Sequence, residues 1–303
     1  MKIIKPKKLK KGDTIGILAV SGKINDYEKI EQAKAFFEKE GYNVVVSDTC
    51  KTSHRYLAGI TDDDCVDVLH SYFQDEKIDM ILCARGGYGT IRLLDKIDFN
   101  IIKNNPKIFA GYSDITLLLN MIFYNTGLIT FHSPMAYGDF SSDIDLYTVQ
   151  NFFKTMMGTK KTITASNPIM YKKGVSEGVL FGGNLATLTS LCGIDFILNE
   201  DIILFLEDLN EPVYKIDRML SQLFNVQKIK EKVKGIVIGE FQNIDDEDYL
   251  NSLLCEFAEK LNVPMSSGFK ITHSKEKETI PVGAKVVFDS NVGTIKIIED
   301  YLE

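Results

Sequence analysis

Serine, histidine, glutamate and a glycine-rich loop are the residues of this 303-residue sequence with chemistry to offer. Ser113 lies in K-I-F-A-G-Y-S-D-I-T-L-L, residues 107–118. The apolar run 108–110 reads as a buried strand, Gly111 permits a cramped turn, and the apolar segment 115–123 has the length of a helix. A serine at the apex of a strand, a sharp turn and a helix is the layout of a nucleophile elbow, which lifts the hydroxyl clear of the sheet edge. Ile115 stands where G-x-S-x-G has its second glycine, and the competing reading is that Ser113 or Asp114 caps the helix.

A serine hydroxyl is a poor nucleophile at neutral pH and needs an adjacent base, most simply a histidine. Of four histidines, His70 falls in a helical pattern and His54 in a polar loop, which leaves His132 and His273 both open. A third group must hold the imidazole in one tautomer and stabilise its charged form. Glu207 and Asp208 follow the apolar strand 202–206 and point to opposite faces by strand alternation, so either carboxylate qualifies. A-R-G-G-Y-G at 84–89 supplies Gly86, Gly87 and Gly89, a loop that either turns main-chain N–H groups toward a ligand or is a plain tight turn. It is neither G-x-G-x-x-G nor a Walker sequence, so no nucleotide cofactor is expected. Beside it, Arg85 has the guanidinium fork that fits a carboxylate, or else it makes a surface or structural ion pair.

Alternating elements must place these residues. A strand at 14–20, a helix at 27–40 ending at Gly41 and a strand at 43–46 make one β-α-β unit. A helix at 61–73, a strand at 79–83, the strand before Ser113, its helix and a strand at 127–131 continue the series. Such alternation predicts a parallel sheet with helices on both faces and ligands beyond the carboxyl ends of its strands, where A-R-G-G-Y-G and G-Y-S-D both fall. Between 158 and 174 the sequence is rich in Thr, Lys, Asn and Gly without an amphipathic period, and a domain boundary is expected there. The expected organisation is 1–157, a linker at 158–177, and 178–303. The second half shows strands at 178–181, 202–206 and 235–238, a helix at 213–224, and a hairpin-like tail at 279–298.

Hydrophobic content of 45%, charged content of 25% and no run long enough to span a bilayer describe a globular protein away from membranes. The lysine-rich start imitates a secretory leader, but Gly12 and Asp13 interrupt it and it reads better as the approach to a first strand. Five cysteines without C-x-x-C spacing favour a reducing, cytoplasmic setting over disulfides or a zinc site, and no metal is expected. A net charge of -7 argues against nucleic acid as a partner.

The motifs G-D-T-I-G-I-L-A at Gly12, Y-L-A-G at Tyr56, A-R-G-G-Y-G at Ala84, G-Y-S-D-I-T at Gly111, G-G-N-L at Gly182, L-E-D-L-N-E-P-V-Y-K-I-D-R-M-L at Leu206 and T-H-S-K-E-K-E-T-I-P-V-G at Thr272 stand in an order that resembles the serine peptidase family of LD-carboxypeptidases and their microcin C immunity relatives. The likeness runs nearly end to end. It implies an α/β fold, with a flavodoxin-like or glutamine-amidotransferase-like parallel-sheet N-terminal domain and a smaller mixed α/β C-terminal domain. It also implies a catalytic set of Ser113, Glu207 and His273, and an oxyanion hole from main-chain N–H groups of Asp114 and of Gly86 or Gly87. Residues from both halves would place the cleft between the domains. The implied substrate is a murein tetrapeptide losing its terminal D-alanine in cell-wall recycling, the rival being a peptidyl or aminoacyl nucleotide, and the implied assembly is a homodimer. Two departures stand out: His132 precedes Ser133-Pro134 where the family more often has His-Gly-Pro, and F-K-I-T precedes His273 in place of the usual glycine-histidine pair.

Overall fold

The computed structural model describes residues 2–194 and 199–303. The chain forms two compact units, one of residues 2–159 with 279–281 and 301–303, the other of 160–278 with 282–300. Among the described residues no helix is long and apolar enough to cross a membrane.

In the first unit, β1 (Thr14–Leu18) leads through α1 (Glu28–Lys39) to β2 (Asn43–Val46) and a two-residue hairpin of β3 (Ser53–His54) with β4 (Leu57–Ala58). Next come α2 (Asp62–Gln74), β5 (Met80–Cys83), the short α3 (Phe99–Asn104), β6 (Ile108–Gly111), α4 (Thr116–Thr126) and β7 (Thr130–His132). The sequence sets these boundaries by local chemistry. Thr61 caps α2 by accepting from the Asp64 N–H while the Asp64 carboxylate accepts from the Thr61 N–H, a reciprocal box. Gly127 ends α4 in the left-handed region, at φ 80°. Strands β5 and β6 are buried throughout, as strands covered on both faces must be.

Strands β2, β1, β5, β6 and β7 pair in that order, all parallel. This is the 2-1-3-4-5 order of flavodoxin-like doubly wound sheets. The order reverses between β1 and β5, so the loops leaving their carboxyl ends diverge and open a crevice. A late strand, β14 (Ile280–Val282), adds to the β7 edge.

The second unit holds an eight-stranded mixed sheet. Its strands in chain order are β8 (Thr162–Thr164), β9 (Met170–Lys172), β10 (Val175–Asn184), β11 (Ile202–Leu209), β12 (Val233–Gln242), β13 (Met265–Ser266), β15 (Lys285–Asp289) and β16 (Thr294–Ile297). Strands β10 to β13 are parallel, while β15, β16, β8 and β9 join antiparallel. The amphipathic helix Val213–Asn225 buries Ile216, Leu220 and Leu223 on one face, the spacing its sequence dictates. The stretch 158–177, which reads as patternless linker, carries the strands β8 and β9. Each is three residues long, and in β8 only Ile163 is buried, too little to produce a readable alternation.

Candidate active site

The end of β6 is where the chain departs from regular geometry. Tyr112 is extended, and Ser113 then takes φ 63°, the left-handed region that a side chain enters at a cost of about 1 kcal/mol or more. A single 3₁₀ turn, Ser113–Ile115, leads into α4. Ser113 is half-buried between the buried Tyr112 and Asp114, so the turn presents the hydroxyl while hiding its neighbours. Neither Ser113 nor Asp114 caps the helix: no side-chain cap bond is made at the start of the 3₁₀ turn or of α4. Ile115 is accommodated because Gly111 has no side chain; a Cβ there would come within 3.0 Å of Ile115 Cγ2 and of Cys83 Cβ. The first glycine of the elbow thus makes room for a bulky residue at the position of the second.

The glycine loop after β5 lies directly on this turn. A Cβ on Gly86 would stand 2.7 Å from Ser113 Cβ and 2.9 Å from its Oγ, distances real Cβ atoms do not adopt. The Gly86 carbonyl accepts from the Gly22 N–H at 3.1 Å and from Arg85 Nε at 3.2 Å. A trans peptide points its N–H opposite to its C=O, so the Gly87 N–H is aimed away from Gly22. Arg85 also donates Nη1 to the Lys23 carbonyl at 3.0 Å, and its guanidinium carbon sits 5.3 Å from the centre of the Tyr137 ring. Among the described residues main-chain oxygens and a ring hold it, and no ion pair does. Gly22, Lys23, Tyr56, Arg85, Gly87 and Tyr88 line a cavity of about 400 Å³ at this loop. The rings of Tyr56 and Tyr88 are 5.9 Å apart on its rim. His132 is buried at the end of β7, edge-on to Tyr112.

In the second unit the structure joins Glu207 and His273. Glu207, fully buried at 0% exposure near the end of β11, accepts from His273 Nδ1 at 2.7 Å. With a carboxylate oxygen as the acceptor, Nδ1 is the donor of this pair. Asp208, facing the other way, accepts from Asn184 Nδ2, the Ala186 N–H and the Leu209 N–H at 2.8 to 2.9 Å. It secures the start of the helix Leu185–Thr189, and burial pushes its carboxyl up to about 6 against those three bonds. The ambiguity between the two carboxylates is resolved by partner: the histidine belongs to Glu207.

Sequence reasoning missed what positions that histidine. Between Leu206 and Asp208 the register of β11 on β12 slips, Leu206 facing Ile238 and Asp208 facing Phe241, so β12 carries a bulge at Gly239 and Glu240. A Cβ on Gly239 would lie 2.2 Å from the Ile271 carbonyl, so the loop before His273 can rest on the bulge only because that residue is glycine. The Glu240 N–H donates to the Ile271 carbonyl at 2.9 Å. Glu240 Oε2 then accepts from Thr272 Oγ1 at 2.6 Å and Ser274 Oγ at 2.7 Å, the residues on either side of His273. The signal was a lone glycine followed by an acid inside a β-run, G-E-F-Q.

A hydroxyl raised on a left-handed strand-to-helix turn and an imidazole backed by a buried carboxylate are the two components of serine hydrolase chemistry, here carried on α/β units. Residues 15–133 match the LD-carboxypeptidase N-terminal domain and residues 177–288 the LD-carboxypeptidase C-terminal domain. A probable murein peptide carboxypeptidase of Bacillus subtilis is 38% identical over 295 residues, 94% of this chain and 92% of that one. The murein tetrapeptide carboxypeptidase of Pseudomonas aeruginosa is 30% identical over 253 residues, covering 78% of this chain and 81% of that one. Among solved structures, the microcin C7 self immunity protein MccF in complex with aspartyl sulfamoyl adenosine has a TM-score of 0.89 at 26% identity, covering 99% of this chain and all of that one. The protein belongs to the LD-carboxypeptidase family of serine peptidases.

Proposed function

We propose that the protein is a serine carboxypeptidase that hydrolyses an L,D peptide bond and releases the terminal D-alanine of a murein tetrapeptide during cell-wall recycling. The observation that carries the chemistry is the left-handed Ser113 pressed against Gly86. The similarity to the Bacillus subtilis murein peptide carboxypeptidase supports the substrate. Ser113 Oγ attacks the scissile carbonyl carbon and gives its proton to His273 Nε2. Glu207 keeps Nδ1 protonated and stabilises the imidazolium. The main-chain N–H groups of Asp114 and of Gly87 or Gly86 hold the oxyanion, each donor contributing about 10²- to 10³-fold. As the C–N bond breaks, His273 passes the proton to the leaving amine. Water activated by the same nitrogen then hydrolyses the ester and restores the hydroxyl. Arg85 grips the free carboxylate through its Nη2 side.

A second reading, hydrolysis of a peptidyl or aminoacyl nucleotide, has one observation in its favour: the exposed Tyr56 and Tyr88 rings beside Arg85 offer a surface on which a base could stack. Mass spectrometry of products from a muropeptide panel and from an aminoacyl sulfamoyl adenosine, with Ser113→Ala as control, separates the two. Loss of D-alanine from tetrapeptides alone supports the first reading, and cleavage of the nucleotide alone overturns it. The homodimer belongs to the same proposal, and light scattering of the purified protein tests it.

A further inference from the structure

The chemistry above uses the main-chain N–H of Asp114 and leaves its side chain without a role. That side chain is buried, with the residue 7% exposed, and its hydrogen-bond partners are neutral donors. Oδ2 accepts from Ser21 Oγ at 2.6 Å and from the Thr90 N–H at 3.0 Å. Thr90 Oγ1 returns a bond to the Asp114 carbonyl at 2.8 Å, so the two residues are tied twice. Ser21 and Thr90 are themselves buried, at 1% and 0% exposure. Taking a carboxylate out of water is costly and is not warranted by packing, which an apolar residue would achieve more cheaply.

The partners explain its presence. Ser21 belongs to the loop leaving β1, Thr90 follows the glycine loop leaving β5, and Asp114 follows the serine leaving β6. The same Ser21 accepts from the Ala58 N–H through its carbonyl at 2.9 Å, and the adjacent Gly22 N–H holds the Gly86 carbonyl. Three segments from the carboxyl edge of the sheet therefore converge on one carboxylate, at the point where the strand order reverses. A backbone held in the left-handed region persists only where its surroundings over-determine it, and the residue after Ser113 is fixed from two sides.

Resting on the serine reading above, we propose that the Asp114 carboxylate is a positioning residue: through Ser21 and Thr90 it fixes the nucleophile turn against the glycine loop, setting the spacing between Ser113 Oγ and the oxyanion-holding N–H groups of Asp114 and Gly87. Both donors meet one oxygen, Oδ2, so an asparagine could keep both bonds through its amide oxygen, whereas an alanine leaves the Ser21 hydroxyl and the Thr90 N–H without their acceptor.

The test is steady-state kinetics on the tetrapeptide with Asp114→Ala, Ser21→Ala, Ser21→Thr and the double variant Ser21→Ala/Asp114→Ala, each checked for a cooperative thermal transition. Misplacement of reacting groups by about 1 Å costs roughly 10²-fold. The expected result is a kcat lowered about 10²-fold in Asp114→Ala and about tenfold in Ser21→Ala, with KM within about threefold, recovery in Ser21→Thr, and a double variant no slower than Asp114→Ala. If Asp114→Ala does not fold, Ser21→Ala against Ser21→Thr decides. A kcat within twofold of wild type in Asp114→Ala or in Ser21→Ala, or a loss confined to KM, overturns the positioning role while Ser113→Ala remains inactive. Activity persisting in Ser113→Ala overturns the serine reading itself.

Discussion

The two functional regions of this molecule draw on main chain and side chains in different proportion. Around Ser113 the main chain sets the geometry: a left-handed serine, a glycine that makes room for Ile115, and another whose missing side chain lets the loop touch the hydroxyl. Around His273 the geometry comes from side chains: the buried carboxylate of Glu207 on Nδ1, and Glu240 gripping the hydroxyls of both neighbouring residues. The first kind of site is intolerant of a single added methyl group. The second shares that intolerance at Gly239, but beyond it depends on where charge and acceptors sit.

The comparison breaks most visibly if the two regions do not serve one reaction. Ser113→Ala and His273→Ala are each expected to lower kcat on the order of 10⁵- to 10⁶-fold, and the double variant to be no slower than either, because members of one catalytic set are strongly non-additive. Multiplicative losses in single-turnover assays would mean the two residues act separately. Gly86→Ala tests the main-chain side: its Cβ displaces the loop from Ser113, and kcat should fall by about 10²-fold or more while circular dichroism stays that of the wild type. Glu240→Ala tests the side-chain side more gently. Both hydroxyls lose the one oxygen, Oε2, that accepts from them, so a loss of about tenfold in kcat is expected, well short of the Gly86→Ala effect. An equal or larger loss would reverse the contrast between the two regions.

The smallest effect concerns stability and lies next door, at Asp208. Its folded-state carboxyl is raised to about 6 from 3.8, so between those values the folded protein holds more protons than the unfolded chain. Its contribution is therefore fully present below about pH 4 and is lost as pH rises through about 6. Denaturant titrations should show the stability of wild type relative to Asp208→Asn falling by on the order of 2–3 kcal/mol across that window. A difference that stays flat or rises with pH would mean its three hydrogen bonds outweigh burial.

The same contrast governs what the sequence could reveal. The elements around Ser113 were legible because glycines, short apolar runs and alternating helices leave local marks: β2 is found at its expected residues and β5 within one residue of them. The left-handed serine was half-legible. Gly111 announced a sharp turn, while Ile115 blurred it until the packing of one against the other was seen. Glu207 and Asp208 could not be told apart, because alternation says that two neighbours diverge and not which meets a histidine 66 residues on. Glu240 and Ser21 were invisible for the same reason, since each acts on a residue far away in the chain. The strands β8 and β9 escaped because three-residue edge strands have no period to detect.

One feature of the first unit bears on how the protein is made. Its sheet is extended by β14, and residues 301–303 return to it: Tyr301 and Leu302 are buried there, and Glu303 exchanges main-chain bonds with Pro6 and Lys8. A nascent chain emerging from the ribosome can assemble its earliest strands at once, but it cannot seal that unit until residue 303 has been translated. A fragment ending at residue 159 would leave an open sheet edge and an unfilled hollow, and a chaperone has reason to attend the growing chain until synthesis has passed that point.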